Sequence, residues 1–81
     1  MLIKIKPNVI FNNKLLRKAV QLYLVDEYNG IKEYGPIGDW NTSNVTNMSY
    51  IFYDAHMFNQ PLYNWNTSNV INMSYMFFFI F

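Results

Sequence analysis

A string of thirteen residues occurs twice in this chain, and its recurrence constrains the fold more than any other sequence feature. Trp40 begins WNTSNVTNMSYIF, and Trp65 begins WNTSNVINMSYMF, so the two strings differ at only two positions. The register extends backwards, because residues 36–40 align with residues 61–65 at the same offset. Self-similarity at a fixed period indicates a repeat architecture, in which neighbouring copies pack on one another.

The period and the apolar spacing together predict an α/β fold, a short leucine-rich-repeat-like solenoid with fewer than two 25-residue repeats. A tetratricopeptide repeat would need about 34 residues and is excluded. Apolar residues from Val45 to Ala55 recur mostly at steps of three, which predicts a short helix near 44–53, capped by Thr42 or Ser43. A short strand is predicted around 60–63, followed by a turn.

The first part of the chain carries no copy of the repeat and is predicted to cap its open end. Asn12 or Asn13 precedes a segment, residues 14–24, with apolar residues on one helical face and charged residues on the other. Asn29-Gly30 predicts a turn after this helix, and residues 2–6 predict an edge strand. The predicted organisation is an N-terminal cap over 1–39, comprising edge strand, amphipathic helix, turn and first strand, then repeat 1 over 40–64 and a truncated repeat 2 over 65–81.

Composition narrows the functions that such a fold could have. The formal net charge is +1, and the chain has no Cys and one His. These values argue against a strongly basic nucleic-acid surface, a thiolate metal site, a disulfide framework and a multi-histidine metal site. The carboxylate pair Asp26-Glu27 and the neighbours Asp54 and His56 do not form a catalytic constellation in the sequence, so we expect no enzyme activity and no cofactor.

The repeated residues resemble a known family. The string that begins at Trp40, followed by Ala55 and by Phe-Asn-Gln-Pro-Leu at residues 58–62, is similar to the BspA-like leucine-rich repeat family, also called DUF285 or the mycoplasma-lipoprotein-type repeat. The likeness covers roughly residues 10–77. It implies a leucine-rich-repeat-like solenoid, a non-catalytic binding or adhesion role, and relatives among bacterial surface proteins and large DNA viruses.

Positions that differ between repeat copies are the candidates for partner binding, because repeat proteins select partners through residues that vary from copy to copy. The candidate partner-binding residues are Tyr53, Asp54, His56, Met57 and Tyr63, with Thr46 and Ile71 as further candidates. The function predicted is a protein–protein interaction module. The alternative is a truncated, non-functional fragment of a larger repeat protein, which the apolar run at residues 76–81 and the small number of repeats favour.

Several sequence patterns have both a functional and a structural interpretation. The pattern Asn-x-Ser/Thr occurs five times. It either marks glycosylation sites or recurs because Asn side chains bond to free backbone groups in turns and helix caps. We favour the second interpretation. Trp40 and Trp65 form either an exposed aromatic stripe or stacked core positions, and we favour the core. Lys14, Arg17 and Lys18 are expected to be a solvated helix face rather than a binding patch.

Expectations about location and assembly follow from what the sequence contains. Neither a secretory signal nor roughly 20 consecutive apolar residues is found, which predicts an intracellular chain, in the host cytoplasm if viral, without stable membrane insertion. An apolar tail at residues 77–81 could give peripheral membrane contact only. The expected partner is an unknown protein and not a nucleic acid, and self-association through the uncapped C-terminal face is a further expectation.

Overall fold

The computed structural model describes residues 8–77, and its first helix, α1, spans Asn13–Val25. The side chain of Asn12 accepts a hydrogen bond from the backbone N–H of Leu15 at 2.7 Å, which satisfies one of the free donors of the first turn. One face of α1 is buried. Its buried residues are Leu16, Ala19, Val20 and Tyr23. The predicted amphipathic helix and its asparagine cap are therefore confirmed.

A second helix, α2, spans Glu27–Tyr34, where the sequence predicted a turn at Asn29-Gly30. The prediction is wrong because Asp26 caps a new helix: its carboxylate accepts the backbone N–H of Asn29 at 3.1 Å and the side-chain amide of Asn29 at 2.6 Å. These bonds, the backbone bond first, hold the pKa of the Asp26 carboxyl below its ordinary value.

Two glycines allow α2 to pack and to end where it does. A Cβ on Gly30 would lie 2.8 Å from the Cα of Tyr23, so only glycine lets the two helices approach this closely. α2 is followed by Gly35, whose φ of 82° lies in the left-handed region that favours glycine, and whose N–H donates to the carbonyl of Ile31 at 2.7 Å. A short 3-10 helix, Ile37–Asp39, then leads into the repeats.

The predicted α/β solenoid is wrong, because residues 8–77 contain two α-helices and no strand or sheet. Beyond Trp40 the described chain consists of turns and extended segments. Two isolated parallel bridges pair Ile10 with Asn41 and Asn47 with Asn72. The predicted helix near 44–53 and the predicted strand around 60–63 are both absent from this part of the chain, and the predicted edge strand at 2–6 lies outside the described residues.

Successive turns replace the predicted helix. The backbone N–H groups of Val45 and Ile51 bond to carbonyls three residues earlier, so the three-residue apolar spacing reflects consecutive turns rather than one helix. Tyr50 and Asp54 have φ values of 59° and 61°, which interrupt a right-handed helix. Thr42, proposed as a cap, instead donates its hydroxyl to the carbonyl of Asn66 at 3.0 Å.

Asparagine side chains stabilise these turns. In both copies an Asn accepts the backbone N–H of the serine two residues further on, at 2.9–3.1 Å. The four residues are Asn41, Asn47, Asn66 and Asn72. Such local bonds compete with helix formation, which explains why the predicted helix does not form. They support the turn interpretation of the Asn-x-Ser pattern.

The segment around Pro61 contacts the 3-10 helix without forming a ladder. The backbone N–H of Asn64 bonds to Gly38 at 3.1 Å, and its side-chain amide donates to Asp39 at 2.9 Å. Pro61 has no N–H to donate, so the regular bonding of a strand cannot continue through it. Isolated hydrogen bonds, rather than a strand, are therefore found at the place where the strand was predicted.

The two copies of the repeat lie side by side and in register. We call residues 40–52 copy 1 and residues 65–77 copy 2. Backbone N–H groups of Met48 and Phe52 donate to carbonyls of copy 2 at 2.8 and 2.9 Å, and that of Ile71 donates back to Thr46 at 2.8 Å. The rings of Trp40 and Trp65 stack with centroids 6.3 Å apart. The repeat in the sequence is therefore a repeat in space.

The helix α1 covers the other edge of copy 1 with two side chains. The Arg17 guanidinium donates to the carbonyls of Ser49 and Asn47 at 2.8 and 3.3 Å. The side-chain oxygen of Asn13 accepts the N–H of Thr46 at 2.9 Å. Copy 2 has equivalent atoms one repeat later in the sequence. It uses those atoms to bond to copy 1, just as copy 1 uses its own to bond to α1. Arg17 and Asn13 thus occupy the place that a preceding copy would take.

This arrangement corrects one expectation about charge. Lys14 and Lys18 are exposed, as a solvated helix face requires, but Arg17 is half-buried and donates hydrogen bonds to copy 1. Arg17 therefore joins α1 to the repeats rather than facing solvent.

The buried core joins α1, α2 and copy 1 around Trp40, which is 2% exposed. The Trp40 ring stacks on Phe11 at 4.8 Å and meets Tyr23 and Tyr34 edge-on at 5.8 and 5.9 Å. Its indole N–H donates to the carbonyl of Gly35 at 2.8 Å. The core interpretation of Trp40 is confirmed, whereas Trp65 is only half-buried.

Candidate interaction surface

An open pocket of about 450 Å³ lies between the helices and the turn that follows copy 1. Tyr23 and Leu24, at the end of α1, and Glu27, at the start of α2, line one side. Residues 53–60 line the other side. Among the described residues no Lys or Arg lines the pocket, and its acidic and imidazole side chains are Glu27, Asp54 and His56.

Four of the five candidate partner-binding residues line this pocket: Tyr53, Asp54, His56 and Met57. Tyr63 does not, and instead borders a smaller pocket of about 200 Å³ beside the 3-10 helix. Both pockets share Tyr23 and Gln60 in their walls. The structure therefore brings four of the candidates together and places the fifth in an adjacent depression.

Local turns aim these side chains outward. Asp54 has a φ of 61°, and its carbonyl accepts the N–H of His56 at 3.0 Å. The Asp54 carboxylate also contacts the Nε2 of His56. Phe58 anchors the far end of the turn by stacking on Phe52 with centroids 4.3 Å apart. As a result Met57, between His56 and Phe58, is 94% exposed.

The pocket floor includes a neutral phenol. Burial raises the pKa of Tyr23, and the negative charge of Glu27 raises it further, against a smaller lowering by a backbone hydrogen bond from Ile37. Tyr23 therefore remains protonated at neutral pH. With the acidic residues Glu27 and Asp54 in its lining beside the aromatic ring of Tyr23, the pocket suits an apolar group flanked by a cation.

Two tyrosines that the sequence patterns did not predict, Tyr50 and Tyr75, form an exposed row with the candidate residue Tyr53. Tyr50 lies 5.5 Å from Tyr53 and stacks on Tyr75 at 5.0 Å, measured between ring centroids. All three side chains are about half exposed. Tyr50 and Tyr75 are identical in the two copies, as Trp40 and Trp65 are, but unlike Trp40 they are exposed. Their left-handed φ values mark a turn, which directs the rings outward, but no sequence signal predicted them.

The two further candidates lie apart from the pocket. The Thr46 hydroxyl accepts a hydrogen bond from the side-chain amide of Asn13 at 3.0 Å, so it contacts α1. Ile71 is almost fully exposed on copy 2 and does not line the pocket. Of the acidic pair, Asp26 caps α2 and Glu27 lines the pocket.

Neither a metal-binding cluster nor a membrane-spanning helix is found in the described residues. Between residues 8 and 77, His, Asp and Glu side chains do not gather in any group of three or more that could hold a metal ion. The helices of the same region are too short or too polar to cross a membrane. The predicted apolar tail lies mostly at residues 78–81, outside the described part.

Comparison with known proteins gives one match. No curated protein and no solved structure is significantly similar to this chain. A family model described as Mycoplasma protein of unknown function, DUF285, matches residues 24–79, which is more than half of the chain and includes both copies and the pocket turn. The suspected resemblance is confirmed at the level of the family: this chain belongs to the DUF285 family.

Proposed function

We propose that this chain is a non-enzymatic protein-interaction module whose pocket binds a partner segment carrying an apolar side chain next to Lys or Arg. The observation that carries this proposal is the convergence of four of the candidate residues, all from the turn that follows copy 1, on one pocket. These residues lie outside the repeated string, so they can vary for recognition without changing the contacts between the copies.

The composition of the pocket supports an apolar contact. Met57 is 94% exposed, which leaves its thioether side chain in water in the free chain. Burying a Met side chain against a partner stabilises a complex by about 1.5–3 kcal/mol. Tyr53 and Tyr23 add aromatic surface, and aromatic residues are frequent among the residues that dominate binding energy.

The charge of the pocket supports a basic neighbour. Glu27 and Asp54 lie on opposite walls, and within residues 8–77 no Lys or Arg lines the pocket, whose one basic side chain, His56, contacts Asp54. A Lys or Arg in the partner would complement both carboxylates, and such complementarity mainly gives specificity and faster association.

Selection from a random peptide display library tests this proposal. We expect enriched peptides that pair an apolar residue with Lys or Arg. For such a peptide, Met57→Ala should weaken binding about tenfold, because the truncation removes buried apolar contact at the centre of the surface. Fluorescence anisotropy of the labelled peptide measures the change.

Ile71→Ala is the matched control, since Ile71 is about as exposed as Met57 but lies outside the pocket. It should bind the selected peptide with unchanged affinity. If selection yields no peptide, or if both variants bind equally well, the pocket is not a recognition surface. That result would favour the alternative of a fragment without binding function.

A further inference from the structure

Equivalent apolar residues of the two copies differ in burial. In copy 1, Trp40, Val45, Met48 and Phe52 are all buried. Their equivalents form what we call the copy-2 face: Trp65, Val70, Met73 and Phe77. Met73 is 47% exposed and Phe77 is 46% exposed, whereas Trp65 and Val70 are half-buried. Copy 1 is covered by copy 2, and no further copy covers the copy-2 face within the described residues.

The contacts of copy 1 show which surface fits such a face. The hydroxyl of Thr42 donates to the carbonyl of Asn66 at 3.0 Å and accepts its N–H at 2.8 Å. Phe52 stacks on Phe77 with an interplanar angle of 7° and donates its backbone N–H to Met76. The face of copy 1 therefore binds one specific surface of another copy of the repeat. We call this surface the leading edge of a copy: it is the side whose atoms bond to the copy before it.

Copy 2 has the same shape as copy 1. The turn bond from Val45 to Thr42 and its equivalent from Val70 to Thr67 are both 3.0 Å long. Because the two copies differ at only two positions, the copy-2 face offers the groups that copy 1 uses, including a threonine at the position of Thr42. The complement of the copy-2 face is therefore the repeat itself.

Both leading edges within residues 8–77 are already occupied. Arg17 and Asn13 cover the edge of copy 1, and copy 1 covers the edge of copy 2. The same part of a second chain consequently has no free edge to offer in the same register. The self-association expected from the sequence stays a prediction, and it would require a different pairing of the two copy-2 faces.

We propose that the copy-2 face binds a further copy of the repeat, carried by another polypeptide whose leading edge is uncovered. This surface is separate from the pocket, so it goes beyond the proposed function. The interaction extends the existing contact between the copies by one more repeat. Backbone hydrogen bonds and ring stacking supply the affinity, as they do between copies 1 and 2.

A labelled synthetic peptide with the sequence of residues 64–77 tests the proposal against the full chain by fluorescence anisotropy. We expect saturable binding, and none for a scrambled peptide of the same composition. Met73→Asp should weaken binding at least about tenfold, because it places a charge against an apolar contact. Val25→Asp, at an equally apolar but almost fully exposed site on α1, should leave binding unchanged.

Circular dichroism establishes that each variant is folded, and Met73→Gln replaces the aspartate variant if that one is not. Absence of saturable binding to the unmodified chain overturns the proposal, as does equal weakening by Val25→Asp. Sedimentation that shows self-association blocked by Met73→Asp, without peptide binding, also overturns it and assigns the face to a second copy of this chain.

Discussion

With Trp40 replaced by alanine, most molecules should be unfolded. With Trp65 replaced by alanine, the chain should still fold cooperatively. Trp40 is buried and touches aromatic residues of α1, α2 and copy 2 at once, so its removal leaves a cavity that no single element can close. Truncating a buried Trp costs about 3–5 kcal/mol. At the lower per-residue stability of about 0.05 kcal/mol, a chain of 81 residues has only about 4 kcal/mol in total, so little would remain.

Trp65 is a matched control because it holds the same position in the repeat. It is half-buried, and one side of its ring belongs to the open copy-2 face. We expect Trp65→Ala to cost roughly half as much as Trp40→Ala, since truncating a half-buried side chain leaves a smaller cavity. Urea unfolding followed by far-UV circular dichroism measures both. Equal losses of stability at the two positions would contradict the burial that distinguishes them.

Replacing Arg17 with methionine should destabilise the chain by about 2 kcal/mol, the scale of hydrogen bonds that involve a charged group. The substitution keeps an aliphatic stem but removes the bonds that the guanidinium donates to Ser49 and Asn47. Their loss leaves partly buried carbonyls without a donor, which adds a desolvation cost. Urea unfolding again gives the free energy.

Two further substitutions distinguish the stability that comes from the planar guanidinium of Arg17 bonding to two carbonyls from the stability that comes from its positive charge. Arg17→Lys should recover only part of the stability, because a single ammonium cannot reach both carbonyls as the planar guanidinium does. Lys18→Met removes a charge from the neighbouring, exposed position and should change stability by less than about 0.5 kcal/mol. A loss for Lys18→Met as large as that for Arg17→Met would mean that net charge, not the contact with copy 1, is responsible.

Local patterns predicted the features that depend on local physics. The apolar face of α1 and its Asn12 cap follow from helical spacing and from a free N–H that a nearby side chain can satisfy. The repeat predicted that Trp40 and Trp65 would stack. The helix near 44–53 was wrong because a three-residue apolar spacing is common to helices and to successive turns, and the Asn side chains favour turns.

Features that depend on contacts between residues far apart in the sequence could not be predicted from sequence patterns. Arg17 was assigned to solvent because its neighbours on the helix are charged, yet its partners lie far along the chain, in copy 1. The turn predicted at Gly30 failed because the glycine serves close helix packing against Tyr23. Within the candidate site, the search for non-matching positions predicted Met57 and its neighbours, but not Tyr50 and Tyr75, which are identical in the two copies.

The most direct test of the central claim is amide hydrogen exchange measured by NMR on the unmodified chain. The claim is that the two copies pair in register while α1 takes the place of a preceding copy. We expect slow exchange at the N–H groups of Met48, Phe52 and Ile71, which bond between the copies, and at Thr46, which bonds to Asn13. Rapid exchange at these four amides in a chain whose α1 amides are protected would contradict the pairing.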